Sequence, residues 1–78
     1  MEAIKEKLTN LLKDLIEIES EIDEQLGFFD MGLTSLTILS FCEKINEAFQ
    51  INCDESDIFN YPNMSELSKF VYQKNMKI

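Results

Sequence analysis

The chain has 78 residues, with fifteen aspartate and glutamate residues against seven lysines and no arginine, and its formal net charge is −8. This acidic balance argues against binding to nucleic acid or to an anionic membrane, and favours partners with basic patches. The sequence contains no histidine, which excludes a catalytic site built on a histidine base. The length predicts one domain with a modest core.

The two cysteines, Cys42 and Cys53, form neither a CxxC motif nor a disulfide framework. Cys42 falls on a predicted core stripe, and Cys53 is expected to be the more exposed of the two. The first ten residues lack the features of a signal peptide, and no apolar run approaches the length that spans a membrane. We therefore expect a cytoplasmic protein.

The first predicted helix covers about residues 2–18, where large aliphatic residues recur at steps of three and four. An acidic segment then loses this period and predicts a long loop over residues 19–34. A loop of this length is uncommon in so small a domain unless it has a function. Four hydrophobic residues are expected to pin the loop to the core: Ile22, Leu26, Phe28 and Phe29.

Three further helices are predicted, over about residues 35–49, 54–60 and 63–74. Asp54 is a suitable N-cap for the short helix, and Asn63, with a glutamate three residues later, resembles a capping box for the last. The sequence therefore predicts an all-α fold, a small four-helix bundle with three main helices and one short third helix.

The second helix begins with a leucine that does not face the core. On a helical wheel, Leu36 falls opposite the apolar stripe, on a face shared with Ser40, Glu43 and Glu47. Single exposed leucines are common in soluble proteins, so the position alone does not establish a function.

Ser35 precedes this leucine, and it has two interpretations. A serine at a helix start is most often the N-cap. Because Thr34 can serve as the cap, the Ser35 hydroxyl is free to point outward, where the backbone N–H groups of a first turn favour an anion such as a phosphate ester.

At these residues the chain resembles the acyl carrier proteins, and more narrowly the carrier domains of polyketide and nonribosomal-peptide assembly lines. The resemblance rests on FFDMGLTSL, residues 28–36, and on FNYP, residues 59–62. It covers nearly the whole chain and combines the right length, order and acidity. It implies that residues 1–78 form a single carrier domain.

The resemblance implies that Ser35 is the attachment point of 4'-phosphopantetheine, which a phosphopantetheinyl transferase takes from coenzyme A. The thiol of the arm would hold an acyl group as a thioester, so the protein would be a monomeric phosphoprotein that shuttles cargo and not an enzyme. Its partners would be an acyltransferase, a ketosynthase or other biosynthetic enzymes with basic docking patches. The residues expected to dock them are Met31, Thr34, Leu36, Ser40, Glu43 and Glu47.

Two departures from the family pattern affect this interpretation. Carriers often have aspartate immediately before the serine, where this chain has Thr34, which puts the efficiency or choice of transferase in question. The second helix is also less acidic than in fatty-acid-synthesis carriers, which favours secondary metabolism.

The leading hypothesis is an acyl carrier of polyketide or hybrid polyketide/peptide biosynthesis. One alternative is an aminoacyl, or peptidyl, carrier. A further alternative is a helical interaction module that is not modified. The Met1 start suggests a free-standing protein that works in trans, although a domain excised from a megasynthase would look the same.

Overall fold

The computed structural model describes residues 2–17 and 21–75. In these ranges the chain forms four α-helices, which are α1 (Glu2–Ile16), α2 (Ser35–Phe49), α3 (Glu55–Asn60) and α4 (Met64–Asn75). The same ranges contain no β-strand, and Gly27 and Asn63 form one isolated antiparallel bridge. The predicted all-α class, with three main helices and one short one, is confirmed.

Helix α1 is amphipathic, and Leu8 and Leu12, one turn apart, are fully buried. The helix ends at Ile16 because Glu17 adopts a left-handed conformation with a φ of 55°. The predicted helix end at residue 18 and the predicted loop start at 19–20 lie outside the described residues.

The other two long helices close the core around α1. Helix α1 packs against both α2 and α4, while the short α3 packs against α2. The buried hydrophobic residues are Leu8, Leu12, Phe28, Leu33, Ile38, Phe41, Cys42, Ile45, Cys53, Ile58, Met64, Leu67, Phe70 and Val71. None of the described helices is long and apolar enough to cross a membrane.

Side-chain caps set the starts of α3 and α4. The Asp54 carboxylate accepts a hydrogen bond from Asp57 N at 3.2 Å, and Asp54 N donates to Asp57 Oδ2 at 3.0 Å, which completes a capping box. Asn63 Oδ1 accepts from Glu66 N at 2.8 Å. The helices therefore begin one residue after Asp54 and Asn63, the positions at which the predicted ranges begin.

The expectation that four hydrophobic loop residues reach the core is wrong for two of them. Phe28 is fully buried and Ile22 is half-buried, but Leu26 and Phe29 are 40% and 44% exposed. Phe29 turns outward because it packs against a side chain of α3, and Leu33 is buried nearer the end of the loop.

Candidate functional site at the start of α2

The loop before α2 is held to the core by one aromatic anchor. The Phe28 ring meets Phe41 of α2 edge to face, with a centroid separation of 5.6 Å and an interplanar angle of 74°. The Phe28 amide also donates to the carbonyl oxygen of Pro62 at 2.8 Å. This hydrogen bond connects the FFDMG and FNYP segments, which the sequence places far apart.

A glycine turn delivers the chain from Phe28 to the helix. Gly32 has a φ of 99°, a conformation that glycine adopts without the steric penalty of a side chain. The amide of the buried Leu33 then donates to Phe28 O at 3.2 Å, which closes the turn. Gly32 is therefore required by the backbone that precedes the helix.

Thr34 caps the helix, and this leaves Ser35 free of that task. Thr34 is extended, and its Oγ1 accepts a hydrogen bond from Thr37 N at 3.3 Å. Ser35 is the first residue of α2 and is exposed, and the first turn carries no acidic side chain. The site thus presents an accessible hydroxyl at the positive end of a 15-residue helix.

Leu36 is 77% exposed, so the helical wheel places it correctly outside the core. Glu43 and Glu47 are exposed on the same side of α2. Leu39, one turn from Leu36, is 44% exposed and extends the apolar surface. We call these four residues, Leu36, Leu39, Glu43 and Glu47, the helix-two patch.

Sequence reasoning missed Leu39, although its spacing of three from Leu36 was a usable signal. The remaining predicted docking residues differ in exposure. Thr34 is exposed beside Ser35, while Ser40 is half-buried. Met31 is half-buried and lines a cavity beneath the loop, so only part of its side chain is available to a partner.

The structure also contains an exposed aromatic pair that the sequence analysis did not predict. Phe29 of the loop and Phe59 of α3 stack with a centroid separation of 5.3 Å and an interplanar angle of 7°. Phe59 is 54% exposed. No local signal predicts this pair, because the two residues meet only through the packing of α3 against α2.

The C-terminal half of α2 is fixed by a side-chain amide. Asn46 Oδ1 accepts from Cys53 N at 2.7 Å, and Asn46 Nδ2 donates to Cys53 O at 3.0 Å.

Cys53 is as buried as Cys42, so the expectation of an exposed Cys53 is wrong. Burial raises the pKa of both thiols. Both thiols are free and protonated at neutral pH.

The described residues, 2–17 and 21–75, contain no cluster of side chains suited to a metal ion. What the site does present is a hydroxyl on a helix start, an adjacent apolar patch and an acidic helix face. The chain matches the family described as "Phosphopantetheine attachment site" over residues 6–71.

The chain belongs to this family. Members of the family carry a covalently attached 4'-phosphopantetheine and do not themselves catalyse reactions on the attached intermediates. The protein is therefore a phosphopantetheine carrier, as the resemblance implied.

Two comparisons extend this result. Over 68 residues, 87% of its length, the carrier is 31% identical to bacitracin synthase 3 of Bacillus licheniformis, and it spans 1% of that protein. The fold is similar to the "Solution structure of a non-covalent extended docking domain complex of the Pax NRPS: PaxA T1-CDD/PaxB NDD", with a TM-score of 0.83 and 24% identity. That alignment covers 95% of the carrier and 70% of the solved chain.

Proposed function

We propose that Ser35 is the residue to which 4'-phosphopantetheine is attached. The observation that carries this proposal is that Ser35 is the exposed first residue of α2, while Thr34 provides the cap. Ser35 also lies within the matched range of the family, residues 6–71.

The surroundings of Ser35 fit a phosphate ester. Backbone N–H groups at the start of α2 favour an anion, and no carboxylate of the first turn opposes it. Because the chain has no histidine, a visiting transferase supplies the base. In this transfer the Ser35 oxygen bonds to the phosphorus of the phosphopantetheinyl group, the pyrophosphate bond of coenzyme A breaks, adenosine 3',5'-bisphosphate leaves, and the base of the transferase takes the hydroxyl proton.

When bound, the prosthetic group holds cargo as a thioester on its terminal thiol. We propose that this cargo is an aminoacyl or peptidyl group of nonribosomal peptide synthesis. The 31% identity to bacitracin synthase 3 supports this choice, as does the similarity to a structure from the Pax NRPS. The polyketide cargo favoured by sequence reasoning has no comparable support and becomes the alternative.

The helix-two patch is the proposed docking surface for the transferase and for the enzymes that load and use the cargo. Leu36 and Leu39 supply a small apolar anchor, and Glu43 and Glu47 would attract a basic partner. Such contacts are expected to weaken as salt concentration rises.

The attachment proposal is tested by intact mass spectrometry after incubation of the apo protein with coenzyme A and a broad-specificity transferase. We expect a mass gain of one phosphopantetheinyl group, its loss in Ser35→Ala, and its retention in Ser56→Ala, the matched control. Ser56 is exposed on α3. An unmodified wild-type protein with several transferases, or a modified Ser35→Ala, would contradict the proposal.

The cargo is tested on the loaded protein with purified adenylating enzymes and with acyltransferases. Aminoacylation by an adenylating enzyme supports the peptidyl carrier, and loading by acyltransferases alone supports the polyketide alternative. An unmodified interaction module predicts instead that Leu36→Ala weakens partner binding in cells while Ser35→Ala changes no phenotype.

A further inference from the structure

The two cysteines of the chain meet in the core behind α2. Cys42 and Cys53 are 4% and 5% exposed, they belong to the same hydrophobic cluster, and their thiols are neighbours. Both thiols are free, and the carrier function proposed above uses neither of them. The chain has no other cysteine, so this pair is the one place where its own thiols can react with each other.

A hydrogen-bonded side chain holds Cys53 against the helix that carries Cys42. Asn46 lies one turn after Cys42 on α2, so the two side chains leave the same face of the helix with their Cβ atoms about 5–6 Å apart. The Asn46 amide accepts from Cys53 N at 2.7 Å and donates to Cys53 O at 3.0 Å. Both backbone polar groups of Cys53 are therefore fixed beside the turn of α2 that follows Cys42.

The closed fold shields the pair from reaction. Burial raises the pKa of both thiols, and the carboxylates of Asp54 and Asp57 raise it further because a negative charge opposes a nearby thiolate. Little thiolate, the form that reacts, is then present at neutral pH. An oxidant is expected to reach the pair when the segment before α3, residues 50–54, opens away from α2.

We propose that Cys42 and Cys53 form a reversible disulfide when the protein meets a low-molecular-weight disulfide such as oxidised glutathione. The bond cross-links the segment before α3 to the second half of α2. Because the thiols are already neighbours and Asn46 holds the backbone of one beside the other, the bond demands little rearrangement of the chain. The proposal depends neither on Ser35 nor on the cargo.

The reaction consists of two thiol–disulfide exchanges. The thiolate of one cysteine attacks a sulfur of oxidised glutathione, the disulfide bond of the oxidant breaks, and one glutathione leaves and takes up a proton. The thiolate of the other cysteine attacks the protein sulfur of this mixed disulfide, and the second glutathione leaves in the same way. The protein loses two electrons and two protons, and the oxidant gains them.

The disulfide is expected to stabilise the fold without affecting the proposed attachment site. It closes a ring over residues 42–53, which restricts the unfolded chain and so favours the folded one. It lies in the packed half of α2, whereas Ser35 and Leu36 are exposed at the start of the helix. Oxidation should therefore raise stability and leave the modification of Ser35 at wild-type extent.

The experiment exposes the full chain, as Ser35→Ala so that no arm thiol is present, to oxidised glutathione. Intact mass spectrometry should show the loss of two hydrogen atoms. Peptide mapping without reductant, with cleavage after Lys44 to separate the two cysteines, should show one cross-linked pair. A dithiol reductant should reverse both results, and the midpoint of urea denaturation should rise on oxidation.

Variants test the order of events. Asn46→Ala removes the bonds that hold Cys53, so the open form should be more populated and the disulfide should form about 5- to 150-fold faster. Asn52→Ala, on an exposed residue of the same segment, is the matched control and should react at the wild-type rate. Cys42→Ala should stop at a glutathione adduct on Cys53, with no cross-linked peptide.

Each contrary outcome overturns a stated part of the proposal. A chain that keeps both hydrogen atoms, even at urea concentrations just below its transition, overturns the disulfide, as do glutathione adducts on both cysteines or dimers linked between chains. A disulfide that lowers the urea midpoint overturns its stabilising role. Equal rates in Asn46→Ala and Asn52→Ala overturn the role of Asn46. Attachment at Ser35 is measured separately, so none of these results bears on the carrier function.

Discussion

The two ends of α2 differ in how deeply they are packed into the fold. At its start, Ser35 and Leu36 project into solvent, and their removal costs the fold few contacts. In its second half, Ile45 is fully buried and Asn46 ties the helix to the segment before α3. The difference indicates that substitutions in the proposed attachment and docking surface should have little effect on stability.

The largest expected contrast comes from two aliphatic truncations on this helix. Ile45→Ala should lower the free energy of unfolding by about 2–5 kcal/mol because it leaves a cavity in the core. Leu36→Ala, the matched control, should change it by less than about 0.5 kcal/mol. Urea denaturation measures both values. A large loss of stability in Leu36→Ala would contradict the conclusion that the start of α2 contributes little to stability.

Removal of the Asn46 amide should have the next largest effect. Asn46→Ala leaves Cys53 N and Cys53 O without the partners that they have in the fold, which should cost about 1–3 kcal/mol. Asn52→Ala, at an exposed position of the same connection, is the control and should be nearly neutral. Modification by the transferase should proceed at wild-type extent in both, provided the assay temperature lies below the midpoint of unfolding.

Alkaline pH should lower the free energy of unfolding through the two buried thiols, Cys42 of α2 and Cys53 of the segment before α3. Burial raises the pKa of Cys42 and Cys53 in the folded state above the ordinary value of 9.0, so the unfolded chain loses these protons first. Stability from the thiols is therefore complete below about pH 9 and is lost as the pH rises further, by up to about 1.4 kcal/mol per pH unit for each thiol.

This alkaline loss is measured by urea denaturation at several pH values. The double variant Cys42→Ala/Cys53→Ala should show a shallower slope above about pH 9, whereas Leu36→Ala should keep the wild-type slope. Equal slopes in the wild type and the double variant would show that other groups cause the loss.

The smallest expected effect is a gain at the C-terminus of α2. Gln50 caps the helix in a left-handed conformation, with a φ of 54° and a ψ of 51°. Gln50→Gly should raise the free energy of unfolding by about 0.5–1 kcal/mol because glycine adopts this conformation without strain. Gln73→Gly, within α4, should instead cost about 1 kcal/mol, and thermal unfolding of the two variants provides the measurement.

Local patterns in the sequence accounted for the helices and for the exposed start of α2, whereas the resemblance to carrier proteins singled out Ser35. The predicted range 35–49 is the observed range of α2, because an apolar stripe of period 3.6 and a threonine cap are both local signals. The outward position of Leu36 follows from the same period. Asp54 and Asn63 act as caps, as the sequence predicted. Such caps can be predicted because the cap side chain bonds the backbone N–H only three positions later in the chain.

Tertiary packing decided what distant residues do together. Three features each join segments that meet only after the helices pack: the Phe29–Phe59 stack, the neighbouring thiols of Cys42 and Cys53, and the cavity beneath the loop before α2. Periodicity assigns a residue to a face but does not say which segment covers that face. The sequence by itself therefore determined the helices and the exposed start of α2, and only the folded chain decided which loop residues are buried and which distant side chains meet.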